Sequence, residues 1–391
     1  MDRRIFLKGL GALGCSAAAH PLLTTVSLAE GSYVLGDNRL VVIILRGAMD
    51  GLDVLQPRGD AGLLAARPRV LSPATDLDGF FALNENLSGL MPLWQAGELA
   101  FVHATSTPYR DKRSHFDGQD LLEAGTGTDL VPAAQRDGWL NRLLQALPGV
   151  GSETAWAVGR QVMPILTGPA LARNWAPDQD LAVSDPARAL LERVYANDPL
   201  FHAASATAFD LAGLEDGEGK DIDLIASFVA ERLRGSSRIA AFSIAGWDTH
   251  RAQIGSIRRP LDRLQRAVLR LRDDAGTAVW GKTVVMAMTE FGRTVRENGS
   301  LGTDHGTGGM MLVAGGAVRG GKVYGAWPGL DEASLYDRRD LMPTSDVRDW
   351  AAMFLEKNAS GDGVAVHLPD RQDKRGKVVS REPRSSPWRV V

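Results

Sequence analysis

Five apolar runs constrain this chain more than anything else in it. Leu40–Leu45 (LVVIIL), Leu99–His103 (LAFVH), Ile239–Ile244, Val284–Met288 and Met310–Val313 are hydrophobic almost throughout, the first of them strongly β-branched. A strand with one wet face alternates polar and apolar residues, whereas an uninterrupted run suits a parallel strand covered on both faces. Helical patterns fall between the runs, at Leu87–Trp94, Trp139–Leu147, Pro186–Tyr195, Ile254–Leu271 and Val347–Leu355. The alternation predicts an α/β fold, with a mostly parallel central sheet and helices on both faces. One main domain is expected over residues 38–360. Residues 150–215, with weaker periodicity and many Ala, Pro and Asp, read as a cap or insertion within it. Residues 361–391 carry Arg371, Lys374, Arg375, Lys377, Arg381 and Arg384 and read as a polar, loosely held extension.

The residues that follow three of the strands carry the chemistry. Leu40–Leu45 runs into Arg46-Gly47-Ala48-Met49-Asp50-Gly51, Ile239–Ile244 into Gly246-Trp247-Asp248-Thr249-His250, and the Thr283–Thr289 segment into Glu290-Phe291-Gly292-Arg293, with Thr303-Asp304-His305-Gly306 beyond. Strands that each deliver Asp, Glu or His where the chain leaves the sheet have the layout of a carboxylate and imidazole metal site. Asp248 and His250, at i and i+2 on an extended segment, face the same way, so that one metal can take both.

The N-terminus reads as an export signal. Arg3-Arg4-Ile5-Phe6-Leu7-Lys8 matches a twin-arginine pattern, a mild Ala/Gly-rich stretch follows, and Ser27-Leu28-Ala29 suits cleavage after residue 29. The stretch is too short and interrupted to serve as a permanent membrane span. These features predict a periplasmic or secreted protein that meets the twin-arginine translocase during export. Cleavage takes away the single cysteine, Cys15, along with three cationic and one anionic side chain, so the formal charge of −3 becomes about −5. Thiolate ligands and disulfides are then excluded, and so acidic a chain is not expected to bind nucleic acid.

Six histidines remain after cleavage, and three of them sit in polar clusters: Ser114-His115-Phe116-Asp117, Asp248-Thr249-His250 and Asp304-His305. With imidazole and carboxylate ligands, zinc is the first expectation for a divalent metal; manganese, magnesium or calcium suit oxygen-rich variants of the site. Ser114 precedes a predicted helix over His115–Ala124. It reads either as a nucleophile or as the helix cap, since Ser-x-x-Asp is also a capping pattern. Arg46, Arg113 and Arg293 are candidates for gripping an anionic substrate oxygen pair.

The order of these clusters resembles the alkaline phosphatase/sulfatase superfamily. Within it, the chain is similar to an exported domain-of-unknown-function family, numbered fifteen hundred and one. The marks are LRGAMDGLD at 45–53, RSHFDGQD at 113–120, GWDTH at 246–250, TEFGRT at 289–294 and TDHGTGG at 303–309. The resemblance implies an alkaline phosphatase-like fold and a metal-dependent hydrolase of phosphate or sulfate esters, with a small-molecule or polymer substrate. It implies metal ligands among Asp50, Asp248, His250, Glu290, Asp304 and His305. Ser114 and His115 would be catalytic, and Arg46, Arg113 and Arg293 would bind substrate. Two placements of the late pair stay open: Asp304 with His305, or Glu290 at the strand end with Phe291 standing where a His is expected. No Cys-x-Pro-x-Arg occurs, which excludes a cysteine-derived formylglycine. The rival expectation is an exported binding or scaffold protein that keeps the fold without catalysis.

Overall fold

A computed structural model describes residues 36–132, 136–147, 149–177 and 221–358. The export signal, the Pro186–Tyr195 helix and the tail beyond 361 lie outside the described residues. In chain order, the elements are β1 (Arg39–Arg46), α1 (Gly51–Val54), β2 (Leu55–Gln56), α2 (Ala61–Ala66), β3 (Ala74–Asp76), β4 (Ala82–Asn84), α3 (Met91–Gln95), β5 (Leu99–Ser106), α4 (His115–Ala124), α5 (Trp139–Ala146), β6 (Ala155–Val158) and β7 (Arg173–Trp175). They continue with α6 (Asp221–Arg234), β8 (Ile239–Ala245), α7 (Gln253–Ser256), α8 (Arg258–Trp280), β9 (Thr283–Thr289), β10 (Gly309–Ala314), β11 (Lys322–Tyr324), β12 (Ser345–Asp346) and α9 (Val347–Asn358).

The main sheet runs β11-β5-β10-β9-β1-β8-β6-β7, with β12 also on β5. β1 lies parallel between β8 and β9, with Val42 opposite Ala241 and Met286. Its side chains supply two cores by simple alternation. Val41, Ile43 and Leu45 join Ile225, Val229, Leu261, Leu264 and Val268 of α6 and α8 on one face. Leu40, Val42 and Ile44 join Leu140 and Leu144 of α5 and Val347 and Ala351 of α9 on the other. All six β1 side chains are at least 95% buried, which is why the run shows no polar alternation; each such burial contributes about 1.5–3 kcal/mol.

The sheet is mixed and mostly parallel. The run Met310–Val313 is the exception: β10 is antiparallel to both β5 and β9. It is covered on both faces like its neighbours, so its composition carries no sign of direction. The first part of the 150–215 segment supplies edge strands, β6 pairing with β8 and β7 with β6; residues 178–215 lie outside the described residues. A small antiparallel sheet, β2-β4-β3, sits apart.

Because β9, β1 and β8 are parallel neighbours, their C-terminal ends share one rim. β5, separated from β9 by the antiparallel β10, points the same way and ends there too. Among the described residues, no helix is long and apolar enough to cross a membrane.

Candidate metal centre

At this rim the chain leaves β1 through Gly47, with φ at 119° and its missing Cβ direction 2.7 Å from the Asp248 backbone nitrogen. Any side chain there would collide with the turn after β8, so glycine lets the two strand ends close together. The Gly47 amide donates to Glu290 Oε1 at 2.9 Å.

Three imidazoles and one carboxylate converge at the rim. Asp248 Oδ1 lies 3.0 Å from His250 Nε2 and 3.2 Å from His305 Nε2, and Asp248 Oδ2 lies 3.5 Å from His115 Nε2. The two Nε2 atoms of His250 and His305 face each other at 3.0 Å. Ligand atoms of His115, Asp248 and His305 all lie within 4.8 Å of one another.

On the opposite ring nitrogen, each imidazole donates to an oxygen. His115 Nδ1 meets Glu290 Oε1 at 2.8 Å, His250 Nδ1 meets Asp304 Oδ1 at 3.0 Å, and His305 Nδ1 meets the Arg113 carbonyl at 2.9 Å. A carbonyl or ionised carboxylate only accepts. Burial works against ionisation of Glu290, but His115, Gln119 and backbone amides outweigh it and hold its pKa below the usual range. Asp304 is lowered too, with Asn298 and His250 overcoming burial. The neutral tautomer therefore carries its proton on Nδ1 and turns the Nε2 lone pair inward at all three rings, the arrangement of metal-ligating histidines held by outer partners. Lone pairs facing a carboxylate repel unless a proton or a cation sits among them. His115 Nε2 is buried and has no hydrogen-bond partner. These donors fit a divalent cation.

The charges nearby set the protonation states. The Glu290 hydrogen bond raises the His115 pKa above its ordinary value, against burial. Burial lowers that of His305. Asp248 is lowered because Arg293, then His250 and His115, outweigh its partial burial.

Other candidate residues stand behind or beside this cluster. Asp50 is 1% exposed, accepts the Leu52 amide at the start of α1, and meets Arg67 Nη1 and Gln253 Nε2, each at 2.6 Å. Glu290 is fully buried behind His115, whereas Asp304, behind His250, is half exposed. Arg293 donates to Asp248 at 2.8 Å and to the Thr303 carbonyl at 2.9 Å, with a fully buried side chain. Arg46 lies 2.8 Å from buried Glu123 and donates to Gln119 at 2.7 Å. Arg113 is exposed, in the left-handed region at φ 54°, and lines a small cavity with Tyr109, Asp111, Gly306, Thr307 and Asp340. Ser114 caps α4, its hydroxyl accepting the Asp117 amide at 3.4 Å, so the capping pattern has its physical counterpart. Phe291 stacks 5.3 Å from His115 and forms an apolar wall beside His305.

Several members of the cluster's support left little trace in the sequence. Gln119 sits one turn after His115 on α4, and both reach Glu290, Gln119 at 3.1 Å; the i, i+4 spacing within RSHFDGQD is its signal. Asn298, which donates to Asp304 at 3.0 Å, and Arg339, which donates to the His305 carbonyl at 3.0 Å, lie in loops without periodic pattern.

The family described as "Protein of unknown function (DUF1501)" matches residues 102–348. No curated protein matches the sequence. Among solved structures, the chain is similar to the C-terminal periplasmic domain of EptC from Escherichia coli, at 10% identity over 72% of this chain and 73% of that one, with a TM-score of 0.36. It is similar to a protein in the alkaline phosphatase superfamily from Vibrio parahaemolyticus, at 13% identity over 73% and 61%, with a TM-score of 0.32. It is also similar to the alkaline phosphatase of the Antarctic bacterium TAB5, at 10% identity over 74% and 94%, with a TM-score of 0.32. At this overlap, no residue role passes from those proteins to this one.

Proposed function

Since the chain belongs to the DUF1501 family, whose description assigns no activity, we propose a function from the cluster itself: a metal-dependent hydrolase of phosphate or sulfate esters, exported to the periplasm or beyond. The observation that carries the reading is the inward turn of three Nε2 lone pairs onto Asp248, each ring pinned from behind by an oxygen acceptor. The ligands in this reading are His115, Asp248, His250 and His305, with zinc as the first choice of ion. Glu290 and Asp304 act as orienting partners, and Asp50 belongs to the scaffold.

A divalent ion held there supplies Lewis acidity toward an ester oxygen and eases deprotonation of an attacking hydroxyl. The protein's own groups do the rest. Arg113, whose carbonyl accepts from His305 Nδ1 and whose side chain is exposed, would offer its guanidinium to a second anionic oxygen. Arg293 keeps Asp248 ionised and fixed. Phe291 excludes water from one side of the imidazoles. Hydrolysis adds water across the P–O or S–O bond: the oxygen joins phosphorus or sulfur, and the leaving alkoxide takes a proton. A panel of aryl phosphate, phosphodiester and sulfate esters, assayed with protein loaded with zinc or cobalt, tests the reading; turnover of none of them removes it. One observation favours a second reading, a cation-binding protein without catalysis: the Ser114 hydroxyl is engaged as a cap. Stoichiometric cation with no turnover selects that alternative.

Ser114→Ala is expected to cost about 1 kcal/mol of stability through the lost cap and to leave cation affinity unchanged. Thermal unfolding and cobalt titration measure both. A fall in turnover far beyond that cost would make Ser114 the nucleophile.

Cation binding is expected to weaken as pH falls. Protons compete for His115 Nε2, and Glu290 raises the His115 pKa, so affinity drops as pH passes down through that raised value. Asp248 also favours the proton on His115, while burial, then His115 and Arg293, oppose one on His305. Without cation the sign for stability is opposite: the His115–Glu290 pair contributes fully below the ordinary histidine value and is lost as pH rises through the raised one. Cobalt titrations between about pH 6 and pH 8 check this, and Glu290→Gln should move the midpoint to lower pH.

A further inference from the structure

We propose that Gln253 is a positioning residue that holds the two ligand-bearing loops in register, an inference that rests on the reading of the cluster as a cation site. Gln253 opens α7 and is fully buried. Its amide nitrogen donates to Asp50 Oδ2 at 2.6 Å. Since that carboxylate only accepts, the amide cannot flip, and its oxygen must face the other way. There it accepts two hydroxyls, Thr249 Oγ1 at 3.0 Å and Thr303 Oγ1 at 2.8 Å.

The two threonines sit where positioning matters. Thr249 lies between Asp248 and His250, and Thr303 directly precedes Asp304 and His305. One amide oxygen therefore ties together the segments that bring Asp248, His250 and His305 to a common point. The tie is reinforced on both sides. The Thr303 amide donates to the Thr249 carbonyl at 3.2 Å, and the Gln253 amide to the Leu301 carbonyl at 2.8 Å. Arg293 Nε reaches Thr303 Oγ1 at 3.3 Å while its Nη1 reaches Asp248 at 2.8 Å. At the far end Asp50 is anchored by Arg67, itself 1% exposed and bonded to the carbonyls of Thr294 and Val295. An unbroken line of buried polar contacts thus runs from the interior to the carboxylate at the centre of the cluster. A buried amide with fewer partners would be costly, and here both ends are used.

The test is cobalt binding by the full chain, read by titration and by the visible absorption bands of the bound ion, which report ligand geometry. Gln253→Met keeps the volume and removes all three hydrogen bonds; it is expected to weaken the cobalt Kd by about 10–100-fold, the usual effect of losing an outer partner, and to shift the bands. Thr303→Val removes only the hydroxyl and is expected to act in the same direction, so the proposal stays testable where Gln253→Met fails to fold. Gln56→Met is the control. It deletes an equally buried amide that bonds Ser72 and Asp53 in the scaffold, and it should lower stability with Kd within about twofold of the parent and unchanged bands. Gln253→Met or Thr303→Val binding cobalt like the parent overturns this inference alone, as does an equal loss in Gln56→Met. A parent protein that takes up no cobalt overturns the reading of the cluster and this inference with it.

Discussion

Arg67→Met is expected to lower the unfolding free energy by about 3–5 kcal/mol, the cost of stranding a buried charge. Arg67 and Asp50 are each 1% exposed and meet at 2.6 Å. The guanidinium also donates to the Thr294 carbonyl at 2.6 Å and the Val295 carbonyl at 2.8 Å. Removing it leaves two carbonyls and a carboxylate short of donors, in a region that already carries a second buried acid. Burial, then the Asp50 charge, pushes Asp53 up to about 6. Asp50→Asn in the Arg67→Met background removes the stranded charge and retains a capping side chain for α1. The double variant should therefore lose less than the sum of the single ones. Denaturant unfolding of the three variants measures the coupling; a loss below about 1 kcal/mol for Arg67→Met would contradict the buried-pair account.

Asp248→Ala is expected to weaken cobalt or zinc binding by more than about 100-fold, above the range for outer partners, and to bring ester turnover to background. Among the described residues, Asp248 is the one that pairs with His115, His250, His305 and Arg293 together. His305→Ala should act in the same direction. Glu290→Gln, one layer further out, should stay within about 10–100-fold. Competition against a chromophoric chelator orders the three variants, and an effect of Glu290→Gln as large as that of Asp248→Ala would make Glu290 a ligand rather than an orienting group. Because Asp248 is nearly half exposed, its loss should disturb stability less than that of Arg67.

How much of this was legible from the residues follows from what each feature depends on. β1, β5, β8 and β9 were readable because burial on both faces leaves an unbroken apolar run. The direction of β10 was not, since a run covered on both faces looks the same either way. The rim position of Asp248, His250 and Glu290 followed from strand ends. What the strand ends could not tell was depth: Asp50 and Glu290 leave parallel strands much as Asp248 does, yet Asp50 turns inward to Arg67, whose distance along the chain hides the pairing. His115 stood as a catalytic residue on the resemblance; only its bond to Glu290 behind it reveals where its other nitrogen points. Gln253 was invisible, because nothing in its local sequence distinguishes a buried amide from a solvated one.

The reversed course of β10 has a consequence for how such a centre can diversify. β9 ends at Thr289 and β10 begins at Gly309 as its antiparallel neighbour, so residues 290–308 leave the sheet and return to it at one edge of the layer. Glu290, Arg293, Asn298, Asp304 and His305 all belong to that single excursion. Changes in its length or wording can replace one ligand, His305, and the groups that hold the other three, while the hydrophobic framework stays untouched.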